Sequence, residues 1–313
     1  MQQAQSTHKI LMIEPADFTF NAETAVDNEF QNQPDMSPEE VKECVIREFD
    51  EAVSLLSSKG ISVYIVKKNN ALPAMPDAIF PNNWFSTDAA GHIYVYPMAA
   101  ANRQVETLQL PDVQQLLMQG GMKAATVIDL SAYATQGRFL EGTGSMVFDR
   151  QHGIVYAAIS VRTDRDLAEE YTKKAGYSQC VTFETRSSNG LPFYHTNVVM
   201  SIGTGYAIVC LECVPDVSQR KLLQQSLSLN GEVIPISLAQ AEQSFCANGL
   251  EVLSKDGKRY FVLSQSAFDG FTEEQRAQIG RFAELLPIRI PTIEHIGGGS
   301  ARCMMAEVFL PSA

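Results

Sequence analysis

Gly297-Gly298-Gly299-Ser300-Ala301-Arg302-Cys303-Met304 runs directly into Met305-Ala306-Glu307-Val308-Phe309-Leu310. Cys303 to Leu310 reads as an apolar strand with nothing after it to pair with. At the other end of the chain, Ile10 to Ile13 reads as a short buried strand with nothing before it. A buried strand must satisfy its backbone N–H and C=O groups on a neighbour, so the two orphans are expected to pair and close the chain on itself.

The intervening sequence repeats one unit: two strands around a tight turn, then a helix, then another strand. The hairpins run from Trp84 to Pro97 around Asp88-Ala89-Ala90-Gly91, and from Ser145 to Ile159 around Arg150-Gln151-His152-Gly153. Two more run from Thr196 to Leu211 around Gly203-Thr204-Gly205, and from Glu251 to Ser264 around Lys255-Asp256-Gly257. Each turn holds residues that tolerate positive φ. The turns recur roughly every 50 to 60 residues, a supersecondary period. Helices are expected near Arg103 to Met118, Asp164 to Lys174, Val217 to Leu227 and Thr272 to Leu285. A further helix opens at Ser37-Pro38-Glu39-Glu40, with an N-cap, a proline at N1 and a glutamate at N3, and ends at Gly60. Val41, Val45, Phe49, Val53 and Leu56 make its apolar face, which should cover a sheet; the strand Ile61 to Val66 follows. With the paired ends counted as a fifth unit, the expected architecture is an α/β ring of five ββαβ-type modules in one domain spanning residues 1–313.

Composition narrows the partners. The chain has 313 residues, with 24 Lys and Arg against 36 Asp and Glu and a formal net charge of -12. That balance repels a phosphate backbone, so nucleic acid is not an expected partner. The amino terminus lacks the charged and apolar regions of a signal peptide, and no segment stays apolar for the ~20 residues of a membrane helix; the expected location is the cytoplasm. Six scattered cysteines, at 44, 180, 210, 213, 246 and 303, suit reduced thiols. Cys210 and Cys213 have no second pair of zinc-ligand spacing, and in an extended segment their sulfurs would face opposite ways. They read as core, and no metal is expected.

The unusual residues fall at the entry to each module: Asp77-Ala78-Ile79-Phe80-Pro81-Asn82-Asn83-Trp84, Phe139-Leu140-Glu141-Gly142-Thr143-Gly144, Tyr194-His195-Thr196-Asn197, Cys246-Ala247-Asn248-Gly249, and the glycine run ending in Cys303. Matching positions of a pseudo-fivefold ring would converge near one axis. They bring together a thiol, an imidazole, a carboxylate and several amides. Cys303 is the candidate nucleophile, His195 the candidate acid and base, and Glu141 the group that orients it. The glycines and Arg302 would let N–H groups and positive charge approach the sulfur and favour thiolate. Blander readings stand beside these: Cys303 next to Met304 and Met305 as core, His92 and His295 as rival imidazoles, Glu141 as a solvated turn. The glycine run lacks the Gly-Lys-Ser/Thr ending of a phosphate loop.

At four of these motifs, Pro76 to Trp84, Leu140 to Gly144, His195-Thr196-Asn197 and Gly297 to Met304, the chain resembles the guanidino-modifying superfamily, the penteins, and within it the amidinotransferase-like citrulline utilization hydrolases. The resemblance covers nearly the whole chain and implies a five-module α/β propeller. It implies Cys303 as nucleophile, His195 as acid and base, Glu141 as their carboxylate, Asp77 and Phe80 in the substrate site, Arg162 as a grip on the substrate α-carboxylate, and Arg103 as a second such clamp. Where deiminases carry His-x-Asp, this chain has His195-Thr196-Asn197, and the second guanidinium-binding aspartate is matched by Asn83. An amide offers donor and acceptor to an uncharged ureido group, whereas a guanidinium buried without carboxylates is costly. The expected reaction is therefore citrulline to ornithine, carbon dioxide and ammonia through a covalent cysteine intermediate, with no cofactor. Asp77 keeps arginine or methylated arginine open as substrate, and the same frame also suits amidino transfer or a non-catalytic binding propeller. The expected partner is a small amino-acid substrate, a homo-oligomer is left open, and Glu14 to Met36 is a candidate lid.

Overall fold

A computed structural model describes residues 4–313. Residues 1–3, part of the terminal stretch read above for a leader, lie outside the described residues. No helix among those described is long and apolar enough to cross a membrane.

The strands fall into five three-stranded sheets. In chain order they are β1 (Lys9–Ile13), β2 (Ser62–Val66), β3 (Phe85–Thr87), β4 (His92–Val95), β5 (Thr126–Asp129), β6 (Val147–Asp149), β7 (Ile154–Ile159), β8 (Gln179–Glu184), β9 (Met200–Gly203) and β10 (Tyr206–Val209), followed by β11 (Glu232–Pro235), β12 (Leu250–Leu253), β13 (Arg259–Ser264), β14 (Glu284–Ile288) and β15 (Ala306–Glu307). Four sheets share one plan. A tight hairpin makes the first pair antiparallel, and the third strand returns parallel to the middle one. A parallel return needs a long crossover, and a helix supplies it each time: Leu110–Gln119, Arg165–Lys174, Val217–Leu227 or Glu273–Gly280. The fifth sheet repeats the plan with the chain ends in place of the hairpin. β15 pairs antiparallel with β1, setting Ile10 opposite Glu307, and β2 lies parallel to β1 across the helix α1 (Pro38–Ser58). The two orphan strands of the sequence are thus each other's partners.

Local chemistry accounts for the elements. Ser37 and Glu40 form the capping box of α1, and Val41, Val45, Phe49, Ala52 and Leu56 are its buried face. Middle strands are covered on both sides, so they read as unbroken apolar runs: every residue of β10 is fully buried. The hairpin turns place Gly91, Gly153, Gly205 and Gly257 at positive φ.

Three expectations change. The strand expected from Cys303 to Leu310 shrinks to β15, because Ala301–Met304 is a single 3-10 turn and the chain straightens only after it. The helix expected from Thr272 to Leu285 ends at Gly280, and Glu284 to Ile288 pair with β13 instead. Cys210 and Cys213 do not face opposite ways. The chain turns after Val209, both thiols enter one core cluster, and the Cys213 thiol donates to the Cys210 carbonyl at 2.9 Å.

The feature that positions the site precedes the outer strand of each sheet. Short helical turns occupy Pro81–Asn83, Gly142–Ser145, Thr196–Val198 and Ala301–Met304, immediately before β3, β6, β9 and β15. Before β12 the equivalent is a tight turn, in which Asn248 N–H donates to the Phe245 carbonyl at 2.8 Å. The first, third and fourth of these turns pack in pairs against the second or against one another. The polar residues picked out at the module entries therefore meet.

Candidate active site

Asp77, Phe80, Asn83, Arg103, Arg162, His195 and Cys303 all line one cavity, about 270 Å³ with its opening to solvent included. Glu141 lies directly behind it, fully buried, with Oε2 2.7 Å from His195 Nε2 and Oε1 accepting from Ala99 N–H at 2.9 Å. Burial acts to raise the Glu141 pKa, but the Arg162 guanidinium, with Nη1 3.6 Å from Oε2, and then His195 hold it well below the carboxylate range. Burial lowers the His195 pKa, and Glu141 opposes without cancelling it. A neutral imidazole beside a fixed carboxylate can take a proton and hold it as imidazolium. Close approach here requires glycine at 144, where a Cβ would sit 2.5 Å from Asn83 Nδ2 and 2.7 Å from the His195 ring. The rival imidazoles lie elsewhere: His92 bonds Asp88 in a hairpin turn, and His295 is exposed.

The glycine run works differently from the expectation. Gly297 closes the helix Pro291–Gly297, Gly298 caps it in the left-handed region, and Ser300 donates to buried Glu294. A Cβ on Gly297 would strike the Phe80 ring at 2.7 Å, and one on Gly298 would strike Gln31 and Asn28. These glycines let Phe80 and the 21–32 segment pack onto the cysteine turn. The Arg302 guanidinium turns away, donating to the Met305 carbonyl at 2.8 Å and to Glu307 at 2.9 Å. Neutral amides meet the sulfur instead: Asn248 Nδ2 at 3.4 Å and Asn197 Nδ2 at 3.6 Å.

Asn83 and Asn197 separate. Asn83 Oδ1 accepts from Arg103 Nη1 at 2.8 Å, which leaves its Nδ2 buried without a partner at the cavity. Asn197 lines a different cavity, of about 400 Å³, together with Gln5, Arg150, Glu251, Arg302 and Glu307. Asp77 Oδ2 accepts from Asn21 at 2.7 Å and Thr24 at 3.0 Å, and Oδ1 is free. Arg103 spends Nε and Nη2 on Glu106 at 2.7 and 3.0 Å, and Nη2 also donates to the Phe80 carbonyl at 3.2 Å. Arg162 is held by the 21–32 segment: Nε meets both Asp27 oxygens at 3.1 Å, and Nη2 donates to the Thr24 carbonyl and to Asp27.

Sequence reading did not single out Asn21, Thr24, Asp27, Glu106 or the role of Tyr194, whose hydroxyl donates to the Gly298 carbonyl at 2.6 Å. Length and polarity marked the loop that carries Asn21, Thr24 and Asp27, but nothing in it marked Asp27 over its neighbours. Among the described residues no group of three or more His, Cys, Asp or Glu is placed to hold a metal.

Comparison with known proteins places the chain in the pentein guanidino-modifying superfamily. The family model described as eukaryotic N,N-dimethylarginine dimethylhydrolase matches residues 14–310, and the chain belongs to that family of hydrolases of non-peptide C–N bonds. No curated protein sequence matches it. Among solved structures it resembles the substrate-bound N-terminal domain of ArgZ, an arginine dihydrolase from the ornithine-ammonia cycle in cyanobacteria. The TM-score is 0.72 at 16% identity, over 96% of this chain and 97% of that one. Apo ArgZ gives 0.73 at 16%, over 97% of this chain and 41% of that one, so the chain spans about two fifths of that longer protein. A dimethylarginine dimethylaminohydrolase variant in adduct with S-methyl-L-thiocitrulline gives 0.62 at 13%, over 98% and 100%. At these identities the shared property is the fold.

Proposed function

We propose that the protein hydrolyses the ureido group of citrulline to ornithine, carbon dioxide and ammonia, with Cys303, His195 and Glu141 as its catalytic group on a pseudo-fivefold propeller. The observation that carries the choice of substrate is the Asn83 amide. Arg103 donates to its oxygen, which fixes the amide and leaves its unpartnered NH2 to face a ligand. A guanidinium presents donors alone and has nothing to accept that hydrogen, whereas a ureido oxygen accepts it. As the carbon becomes tetrahedral, charge grows on that same oxygen, and the Asn83 donor stabilises it. The free Asp77 Oδ1 accepts from a terminal NH2.

In this reading His195 takes the proton of the Cys303 thiol, and the thiolate adds to the ureido carbon. The intermediate collapses as His195 protonates the departing nitrogen, leaving a thiocarbamate. Water deprotonated by His195 then breaks the C–S bond, the sulfur recovers its proton, and the carbamate released falls apart to carbon dioxide and the amine; Glu141 stabilises the imidazolium in both halves. Arg162 receives the α-carboxylate once Asp27 gives way. Arg103 orients Asn83 and holds the Phe80 loop rather than serving as a second clamp. Phe80 walls the cavity beneath the glycine turn.

Arginine is the second reading, favoured by the free Asp77 carboxylate oxygen. Incubation of the pure protein with citrulline, arginine and methylated arginines, with ornithine, citrulline and ammonia measured, decides between them. Ornithine from citrulline is expected; turnover of arginine alone would overturn the ureido assignment.

A further inference from the structure

The residue that does most to fix the Cys303 sulfur belongs to none of the motifs that carry the family resemblance. Asn248, fully buried, stands between the turn before β9 and the turn that carries the cysteine. Its Oδ1 accepts from Arg302 N–H at 3.1 Å, and its Nδ2 donates to the Asn197 carbonyl at 3.0 Å. These two bonds fix the orientation of the amide. Reversed, it would set NH2 against an N–H and oxygen against a carbonyl, leaving buried polar groups unsatisfied. In the fixed orientation the second hydrogen of Nδ2 is available to the sulfur at 3.4 Å, closer than Oδ1, which lies 3.6 Å from the sulfur and accepts from it while it carries its proton. Asn197 Nδ2 meets the same sulfur at 3.6 Å. Neither amide lines the cavity that holds His195 and Arg162, and the guanidinium of the adjacent Arg302 is directed to Met305 and Glu307.

We propose that Asn248, with Asn197, forms a two-amide cradle that stabilises the negative charge on the Cys303 sulfur as it attacks, from the side away from the substrate. This inference rests on the reading of Cys303 as nucleophile. Hydrogen bonds from neutral donors favour the charged sulfur without placing a permanent cation beside it. They also hold the sulfur in place through its conversion to a thiocarbamate and back. Because Asn248 touches the sulfur and not the cavity, its loss should alter reactivity rather than substrate affinity.

The experiment measures the rate of inactivation by iodoacetamide against pH, together with kcat and KM on citrulline, in the wild type, Asn248→Asp, Asn248→Ser and Cys303→Ala. Asn248→Asp keeps the acceptor for Arg302 N–H and replaces the donor at the sulfur with a carboxylate oxygen; Asn248→Ser keeps a small donor and covers the case in which the aspartate does not fold. The inactivation profile is expected to move to higher pH in both, further in the aspartate. The expected loss in kcat is roughly 10- to 100-fold, the scale of one hydrogen bond to a charged group, with KM little changed. Profiles that superimpose on the wild type would overturn the cradle while leaving Cys303 as nucleophile. Unchanged turnover in Cys303→Ala would remove the reading beneath it.

Discussion

Arg103 and Arg162 are both almost fully buried, both line the same cavity, and both resemble substrate clamps in sequence. Their partners differ. Arg103 is bound by Glu106, three residues away in its own helical segment, by Asn83, and by the carbonyls of Asp77 and Phe80. All of these belong to the module that builds the site, and none can leave without unfolding it. Arg162 faces the fixed Glu141 at 3.6 Å, but its hydrogen bonds go to Asp27 and the Thr24 carbonyl, from a loop that lies over the cavity. A carboxylate on a loop can be exchanged for a carboxylate on a ligand. Burial and charge alone therefore do not make an arginine a clamp; the test is whether its partners can be displaced.

The largest expected effect comes from Arg103→Ala. It leaves the Glu106 carboxylate buried without its cation, a loss of about 3–5 kcal/mol, and thermal melting should show a strongly destabilised protein whatever substrate is present. If the variant instead melts like the wild type and fails only in KM, the two arginines are alike and the contrast is wrong. Arg162→Lys should melt close to the wild type, because a cation remains near Glu141. It should raise KM for citrulline roughly 10- to 100-fold through loss of the bidentate fork, as steady-state kinetics would show. Asp27→Asn is expected to lower KM, roughly two- to fivefold, since the pair it weakens is partly exposed. A higher KM would mean that Asp27 binds the substrate instead of competing with it.

The smallest effect is a pH dependence. The folded pKa of His195 is depressed by burial below its ordinary 6.5. The unfolded chain then binds more protons as pH falls below that value. Stability from this group is complete above about 6.5 and declines as pH drops toward the folded pKa. The Glu141 pKa is depressed from 4.5, so its contribution is present above that value and lost below it. Melting temperatures measured from pH 5 to 8 should fall toward acid, and His195→Gln should flatten the decline near pH 6.

Element order was legible because each element carries its own signal. Capping boxes, positive-φ glycines and apolar runs gave α1, the hairpins and the crossovers, and two unpartnered strands at the ends gave the closure. The residues at the module entries were legible as a set for the same reason. What was hidden depends on contacts between distant turns. The sequence around Arg302 says nothing of Glu307 as its partner, so its charge looked available to the sulfur. Asn83 and Asn197 are equivalent as amides in sequence, and only the fold distinguishes them, with Arg103 orienting one and the second cavity receiving the other. Asp27 is one acid in a polar loop, and only the folded loop brings it to Arg162.

The central claim is that Cys303 attacks a neutral ureido carbon. Acid-quenched turnover of citrulline, followed by mass spectrometry of the peptide that contains Cys303, tests it most directly. The expected result is a carbamoyl group on Cys303, with or without the ornithine chain, that disappears as ornithine accumulates. An unmodified Cys303 with citrulline, together with an amidino adduct when arginine is supplied, would contradict it.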